Sequence, residues 1–296
     1  MAETSVFERI LTPLNSLLPA RLRGDIPVVP VVRLAGVIGF STPLKPGLTI
    51  ASVTRVLDRA FETRNARAVA LVINSPGGSA VQSHLIFQRI RALAVEHELP
   101  VIAFIEDVAA SGGYMIACAA DEIISDPSSI IGSIGVVGAS FGFDKLIEKI
   151  GVDRRVYTSG DRKVMLDPFL PEKPDDVNRL KTIQKEIHED FIGLVKSRRG
   201  GKLDGREKAL FSGEFWAGGK ARELGLVDSI GELRVTLRER FGKKVKTPLI
   251  AERGLFGRSK PGVSSAIAER LMDGAGIADE IVSALEARAL WARYGL

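Results

Sequence analysis

At 296 residues, 45% of them apolar, the chain is long enough to bury a full core as one large domain with appendages. A single cysteine, Cys118, excludes an internal disulfide and a multi-cysteine metal site, and three histidines (His84, His97, His188) without an HExxH or paired spacing argue against a zinc enzyme. The net charge of +5 permits an anionic partner without demanding one; the basic clusters at Arg21 and Arg23, Arg154 and Arg155, and Lys196 to Lys202 have no interleaved aromatics and read as solvated faces, not as a nucleic-acid site.

The first residues, 1–27, lack the basic start and unbroken apolar core of a signal peptide, and no apolar run approaches 18 residues, so no transmembrane helix is expected. Phe7, Ile10, Leu11, Leu14, Leu17 and Leu18 fall at helical spacing, with Pro13 kinking or restarting the helix. This segment fits a membrane surface, a partner subunit or a cover for the core. Residues 28–40 predict a buried strand pair or one bent strand. Leu48 to Arg64 has a helical period, Val69 to Ile73 is a β-branched buried strand, and Ala80 to Glu96 is helical. Pro100 opens a strand that runs to Ser111, and an apolar helical pattern, Tyr114 to Ala120, follows. Glu122 to Ser125 predicts a short strand, Phe141 to Ile150 a helix closed by Gly151, and Arg154 to Thr158 another strand. Asp175 to Arg198 is a long amphipathic helix and Arg234 to Phe241 the last helix of the main body. Gly254 to Gly262 reads as a linker, and residues 264–293 as one or two short helices. Three units are expected: residues 1–27, a main domain over 28–245, and a linker with a helical tail over 246–296. Strands alternating with helices predict an α/β domain with a mainly parallel sheet and right-handed crossovers.

The chemistry gathers at glycine-rich turns. In Ala109-Ala110-Ser111-Gly112-Gly113-Tyr114 a serine stands between a strand and a helix start, where backbone N–H groups favour developing negative charge. A serine hydroxyl needs a base to take its proton. None of the histidines falls in a loop at a strand end, whereas Lys163, in Ser159-Gly160-Asp161-Arg162-Lys163, follows the expected strand and is flanked by Val164, Met165 and Leu166. An ordinary lysine, with a pKa near ~10.4, must fall to about 7–8 to act near neutrality, which costs about 4 kcal/mol and requires a dry site. Gly77 and Gly78, after a strand end and before a helix, could offer N–H groups to an oxyanion, as could Gly112. A Pro-Gly-Gly turn or an Ala-Ser-Gly-Gly turn taken alone is more often a plain connection. A phosphate loop is excluded because no Gly-Lys-Ser/Thr follows.

Taken in order, Asn74-Ser75-Pro76-Gly77-Gly78, Ala110-Ser111-Gly112-Gly113-Tyr114, Ile131-Gly132-Ser133-Ile134-Gly135-Val136, Ser159-Gly160-Asp161-Arg162-Lys163 and the ARELGLVD of Ala221 to Asp228 resemble the signal peptide peptidase A and protease IV family, over roughly residues 30–240. The resemblance implies a Clp/crotonase-type spiral of ββα units with helical extensions, and a Ser-Lys endopeptidase in its short, single-copy form. It implies Ser111 as nucleophile, Lys163 as general base, Ser133 as the residue that orients the lysine, and Gly78 and Gly112 as oxyanion donors, with Gly77 beside them. It implies a homo-oligomeric ring in which serine and lysine meet across subunits, and peptide substrates such as signal-peptide remnants and other unfolded segments. No metal or other cofactor is expected. The family's membrane anchor has no counterpart in the sequence, so a cytoplasmic or inner-membrane-peripheral location is the expectation. In some family members a C-terminal segment reaches a neighbouring active site.

Three other readings stand beside this one. A crotonase-type acyl-CoA hydratase or isomerase would use a glutamate, for which Glu106 and Glu122 are at hand. A Clp-like protease would need a histidine about two dozen residues after Ser111, and none stands there. A catalytically idle scaffold at a membrane would be indifferent to loss of Ser111.

Overall fold

The computed structural model describes residues 26–39, 47–160, 162–205, 207–251, 285 and 287–296. The amphipathic pattern of residues 7–18 lies outside these, as does most of the tail from 252 to 284.

Four parallel strands in sequence order form the centre. They are β1 (Val31–Ala35), β2 (Val69–Ser75), β3 (Val101–Ala110) and β4 (Glu122–Ser125), with β7 (Ser229–Ile230) beyond β4. Helices α1 (Ile50–Phe61), α2 (Ala80–Glu96) and the short α3 (Gly112–Ala117) connect them. Every residue of β2 is buried, because the sheet is covered on both faces. Val69, Leu71 and Ile73 join the larger core with α1, α2 and α3. Ala70 and Val72 join a second core closed by Leu233, Leu237 and Phe241 of α8 (Leu233–Phe241). Thr49 starts α1 with a reciprocal capping box to Ser52, and Ser79 caps α2. The expected long strand over 28–40 is β1 flanked by isolated bridges at Val28 and Ile38. Residues 246–250 run beside β1, with the Val29 and Val31 N–H groups donating to Lys246 and Pro248.

The strand that matters most, β3, divides its pairing. Its first half, Ile102 to Ile105, pairs with β4, while Val108 to Ala110 pairs with β5 (Ile130–Gly132). Glu106 and Asp107 mark the divide, and Ser129 spans it by donating its hydroxyl to the Glu106 carbonyl at 2.6 Å. Strand β6 (Phe215–Ala217) adds antiparallel to β5. The division turns the last residues of β3 toward β5, and it brings Gly132 directly opposite Ala110, next to Ser111.

Two expectations fail between residues 137 and 173. Arg154 to Thr158 forms no strand: it is mostly exposed, and no strand among the described residues takes its backbone groups. The helix expected over Phe141 to Ile150 shrinks to α4 (Asp144–Lys149), which buries no residue; Gly151 does close it, at φ 68°. Beyond this arm comes α5 (Pro174–Arg199), with proline in its first turn, Asp175 and Asp176 at its positive end and Lys196, Arg198 and Arg199 at its negative end. Its buried residues, Phe191, Val195 and Arg199, all lie in its C-terminal third. The short helices α6 (Glu207–Leu210) and α7 (Gly218–Glu223) complete the body.

Cys118 is fully buried, and burial pushes its thiol up to about 12, so it packs as an inert core residue.

Candidate active site

Ser111 stands at the end of β3 with φ 53° and ψ −122°, backbone that a non-glycine residue rarely adopts. Such a conformation costs about 1–3 kcal/mol and persists only where the surroundings enforce it. Here the Ser111 N–H donates to the Gly132 carbonyl at 2.8 Å, and the Ser111 carbonyl accepts from Met115 at 3.0 Å as α3 begins. A strained strand-to-helix turn of this kind lifts a serine oxygen clear of the sheet. The side chain is half-buried at the carboxyl end of a parallel strand, where open α/β sheets bind ligands.

The Gly77 turn lies against this serine. A Cβ on Gly77 would come within 2.8 Å of the Ser111 Cβ and 2.9 Å of the Ala110 carbonyl oxygen, and its φ of 101° also requires glycine. Ile38 clasps the turn from outside, donating its N–H to Gly77 and accepting from Ser79, each at 2.8 Å. Ser75, fully buried, donates to the Gly36 carbonyl at 2.7 Å and accepts from the Gly77 N–H at 3.2 Å. The N–H groups of Gly78 and Gly112 have no acceptor among the described residues. Gly112 directly follows the serine, and Gly78 directly follows the residue that packs against it. Ser75 and Ile38 were not singled out from sequence; Ser75 lies inside the Asn-Ser-Pro-Gly-Gly run, but its role needs Gly36, 39 residues away.

Ser133 is the third member of the cluster. It too has φ 53°, is 7% exposed, and donates its N–H to the Glu214 carbonyl at 2.7 Å. The Tyr294 hydroxyl donates to Ser133 Oγ at 3.2 Å, and the Tyr294 ring meets Phe215 edge-on at 5.1 Å. Tyr294 therefore touches Ser133, a contact that no short-range pattern around residue 294 announces.

Lys163 is placed differently. It sits exposed in the turn formed by residues 162–166, and its side chain makes no hydrogen bond to Ser111 or Ser133. The dry setting that Val164, Met165 and Leu166 suggest is not made among the described residues, where Lys163 is exposed. The arm that carries the lysine also exposes Phe141 (79%), Ile150 (64%), Val152 (52%) and Tyr157 (92%).

The fifth motif holds the scaffold. Asp228 accepts hydrogen bonds from Arg199, Lys202 and the Ile123 N–H at 2.7, 2.7 and 2.8 Å, and the Arg199 guanidinium also caps the Gly225 carbonyl. Burial works against the Asp228 carboxylate, but these partners hold its carboxyl below the usual carboxylate range. Tyr114 donates to the Leu226 carbonyl at 2.8 Å, which fastens α3, the helix that starts at Ser111, to this stretch.

The family model for peptidase family S49 matches residues 94–246, just over half of the chain, and that span contains Ser111, Ser133 and Lys163. The chain belongs to peptidase family S49. A second family model, the ClpP-like SDH-type serine proteinases, matches residues 23–142 and accords with the parallel sheet and alternating helices of this S49 member. A Brucella abortus protein named Na(+)/H(+) antiporter NhaA is 55% identical over 287 residues, 96% of this chain and 39% of that protein. The chloroplastic serine protease SPPA of Arabidopsis thaliana is 32% identical over 248 residues, 82% of this chain and 36% of that protein. The probable protease SohB of Buchnera aphidicola is 36% identical over 163 residues, 55% of this chain and 47% of that protein. The S49 chain thus spans about two fifths of the length of the first curated relatives it matches. Among the described residues no helix is long and apolar enough to cross a membrane.

Proposed function

We propose that the chain is a serine endopeptidase acting through a Ser-Lys dyad on unfolded or membrane-derived peptides such as signal-peptide remnants. The observation that carries this reading is the strained Ser111 turn with the Gly77 turn packed against it, and with N–H groups at Gly78 and Gly112 that have no acceptor among the described residues. Ser111 Oγ attacks the peptide carbonyl carbon while its proton passes to the neutral amine of Lys163. The carbonyl oxygen, now negative, takes the Gly78 and Gly112 N–H groups. The ammonium then returns the proton to the departing amine, leaving an acyl ester on Ser111. Water, losing a proton to the same amine, then attacks the ester; the acyl–Oγ bond breaks, the acid leaves, and the ammonium returns the proton to Ser111 Oγ.

This scheme needs Lys163 out of water, and an assembly supplies that condition. The apolar surface around Phe141, Ile150 and Val152 lies on the lysine's own segment, which supports a homo-oligomeric ring in which a neighbour's Lys163 meets Ser111 and the Ser133 hydroxyl. Tyr294 occupies that hydroxyl in the single chain. Tyr294→Phe keeps the ring against Phe215 and removes the competing donor, so peptide hydrolysis is expected to rise about five-fold, the worth of one ordinary hydrogen bond. An unchanged rate would mean that the tail does not obstruct the lysine.

The crotonase reading gains no support, because its two glutamates are engaged elsewhere: Glu106 pairs with Arg33 at 2.7 Å, and Glu122 pairs with Arg240. The antiporter name of the Brucella relatives belongs to proteins of which this chain matches 39%, and it is not carried over.

A fluorophosphonate probe tests the reading. One adduct per chain, mapped to Ser111, in a particle whose native mass is a multiple of the chain mass is expected. No labelling, together with turnover of a coenzyme A thioester, would overturn it.

A further inference from the structure

Ser133 owes its position to three hydrogen bonds made by the backbone of residues 132–134, each from a different element. The Gly132 carbonyl accepts from the Ser111 N–H at 2.8 Å, and the Ser133 N–H donates to the Glu214 carbonyl at 2.7 Å. The Ile134 carbonyl is met by His188 Nε2 at 3.0 Å. The first two bonds are backbone to backbone, whereas the third comes from a side chain. A carbonyl only accepts, so the His188 proton is on Nε2. His188 projects from α5 one turn before Phe191, which is 3% exposed and fixes the helix on the core. Ile134 is fully buried, while Val137, three residues on, is 67% exposed. His188 therefore grips the chain at the last buried residue before the arm that carries Lys163. Nearby, α5 runs close along the root of that arm: a Cβ on Gly138 would come within 2.8 Å of Gln184 Nε2.

We propose that His188 is a positioning residue for the Ser-Lys chemistry. By donating from Nε2 to the Ile134 carbonyl it enforces the rare backbone of Ser133 and sets the direction in which the arm leaves the body. A φ of 53° at a serine persists only where its neighbours over-determine it, so losing one of three restraints loosens Ser133 before it unfolds anything else. The inference rests on the peptidase reading for its catalytic consequence but not for its structural one.

Two variants and two readouts test it. His188→Leu keeps bulk without a donor; His188→Gln keeps an amide donor near the place of Nε2. In the leucine variant, kcat on an unfolded apolar peptide is expected to fall about ten-fold with KM little changed, the loss of one hydrogen bond felt at the reacting groups. Amide hydrogen exchange in the peptide spanning residues 130–138 is expected to quicken by a similar factor while the melting temperature barely moves. The glutamine variant is expected to restore most of both. Unchanged exchange and unchanged kcat in the leucine variant would overturn the proposal, and so would equal losses in both variants accompanied by a lowered melting temperature. The exchange readout needs no turnover. If the wild type cleaves nothing and exchange still quickens in the leucine variant alone, the restraint stands and the peptidase reading falls. If the wild type is active through Ser111 and exchange is unmoved, this proposal alone falls.

Discussion

Ser111→Ala is expected to lower hydrolysis of an unfolded apolar peptide by at least ~10³-fold while leaving the fold unchanged, and Lys163→Ala to do the same. The serine change removes one oxygen from a half-buried side chain and leaves the Ser111 N–H bond to Gly132 in place. The lysine change removes an exposed side chain with no hydrogen-bond partner among the described residues. The two variants share one outcome for different chemical reasons. On the proposed mechanism, no acyl ester forms without Oγ, and without the amine the hydroxyl keeps its proton. Steady-state hydrolysis measured beside circular dichroism separates a chemical loss from an unfolded protein. Ser111→Ala at wild-type rate would remove the nucleophile, and Lys163→Ala at wild-type rate would remove the base.

The second large effect is on stability. Asp228→Ala is expected to destabilise the fold by about 3–5 kcal/mol, because it leaves the Arg199 guanidinium, 3% exposed, without its carboxylate. For a chain of this size that lowers the melting temperature by roughly 10 °C. The pH dependence follows from the direction of the shift. The Asp228 carboxyl is held below its ordinary value in the folded state, against burial, by Arg199, Lys202 and the Ile123 N–H. Its contribution is present above the ordinary carboxylate pKa of about 3.9 and is lost as pH falls through the lowered folded value. Thermal melts from pH 7 downward are expected to show the wild type losing stability in that acid range, with a shallower loss in Asp228→Asn. Parallel profiles for the two proteins would show that Asp228 is not a source of the acid sensitivity.

The elements around Ser111 were legible because their signals are local. A run of β-branched residues makes β2 and serine caps α2; the Ala-Ser-Gly-Gly step ends β3 where the sequence places it. The glycines beside Ser111 were legible for the same reason, since a positive φ or a close approach leaves few alternatives. The arm was not. Arg154 to Thr158 has strand-like residues, but a strand needs a neighbour, and none of the described residues pairs with it. Lys163 is a similar case: short-range pattern finds a lysine with apolar flanks, but among the described residues it is exposed. Contacts across long separations were also invisible from pattern. Tyr294 lies 161 residues from Ser133, and His188 lies 54 from Ile134. The ARELGLVD run was legible as a motif but not as a clamp, because Asp228 acts through Arg199 and Ile123 on other elements.

The claim on which the rest depends is that Ser111 of one chain uses Lys163 of another. Mixing the two inactive variants, Ser111→Ala and Lys163→Ala, in equal amounts under conditions of subunit exchange tests it directly. If nucleophile and base come from adjacent copies in a head-to-tail ring, about a quarter of the sites in the mixed particles regain both groups, and activity is expected to return to about that fraction of wild type. Mixed particles seen by native mass measurement that remain inactive would contradict it.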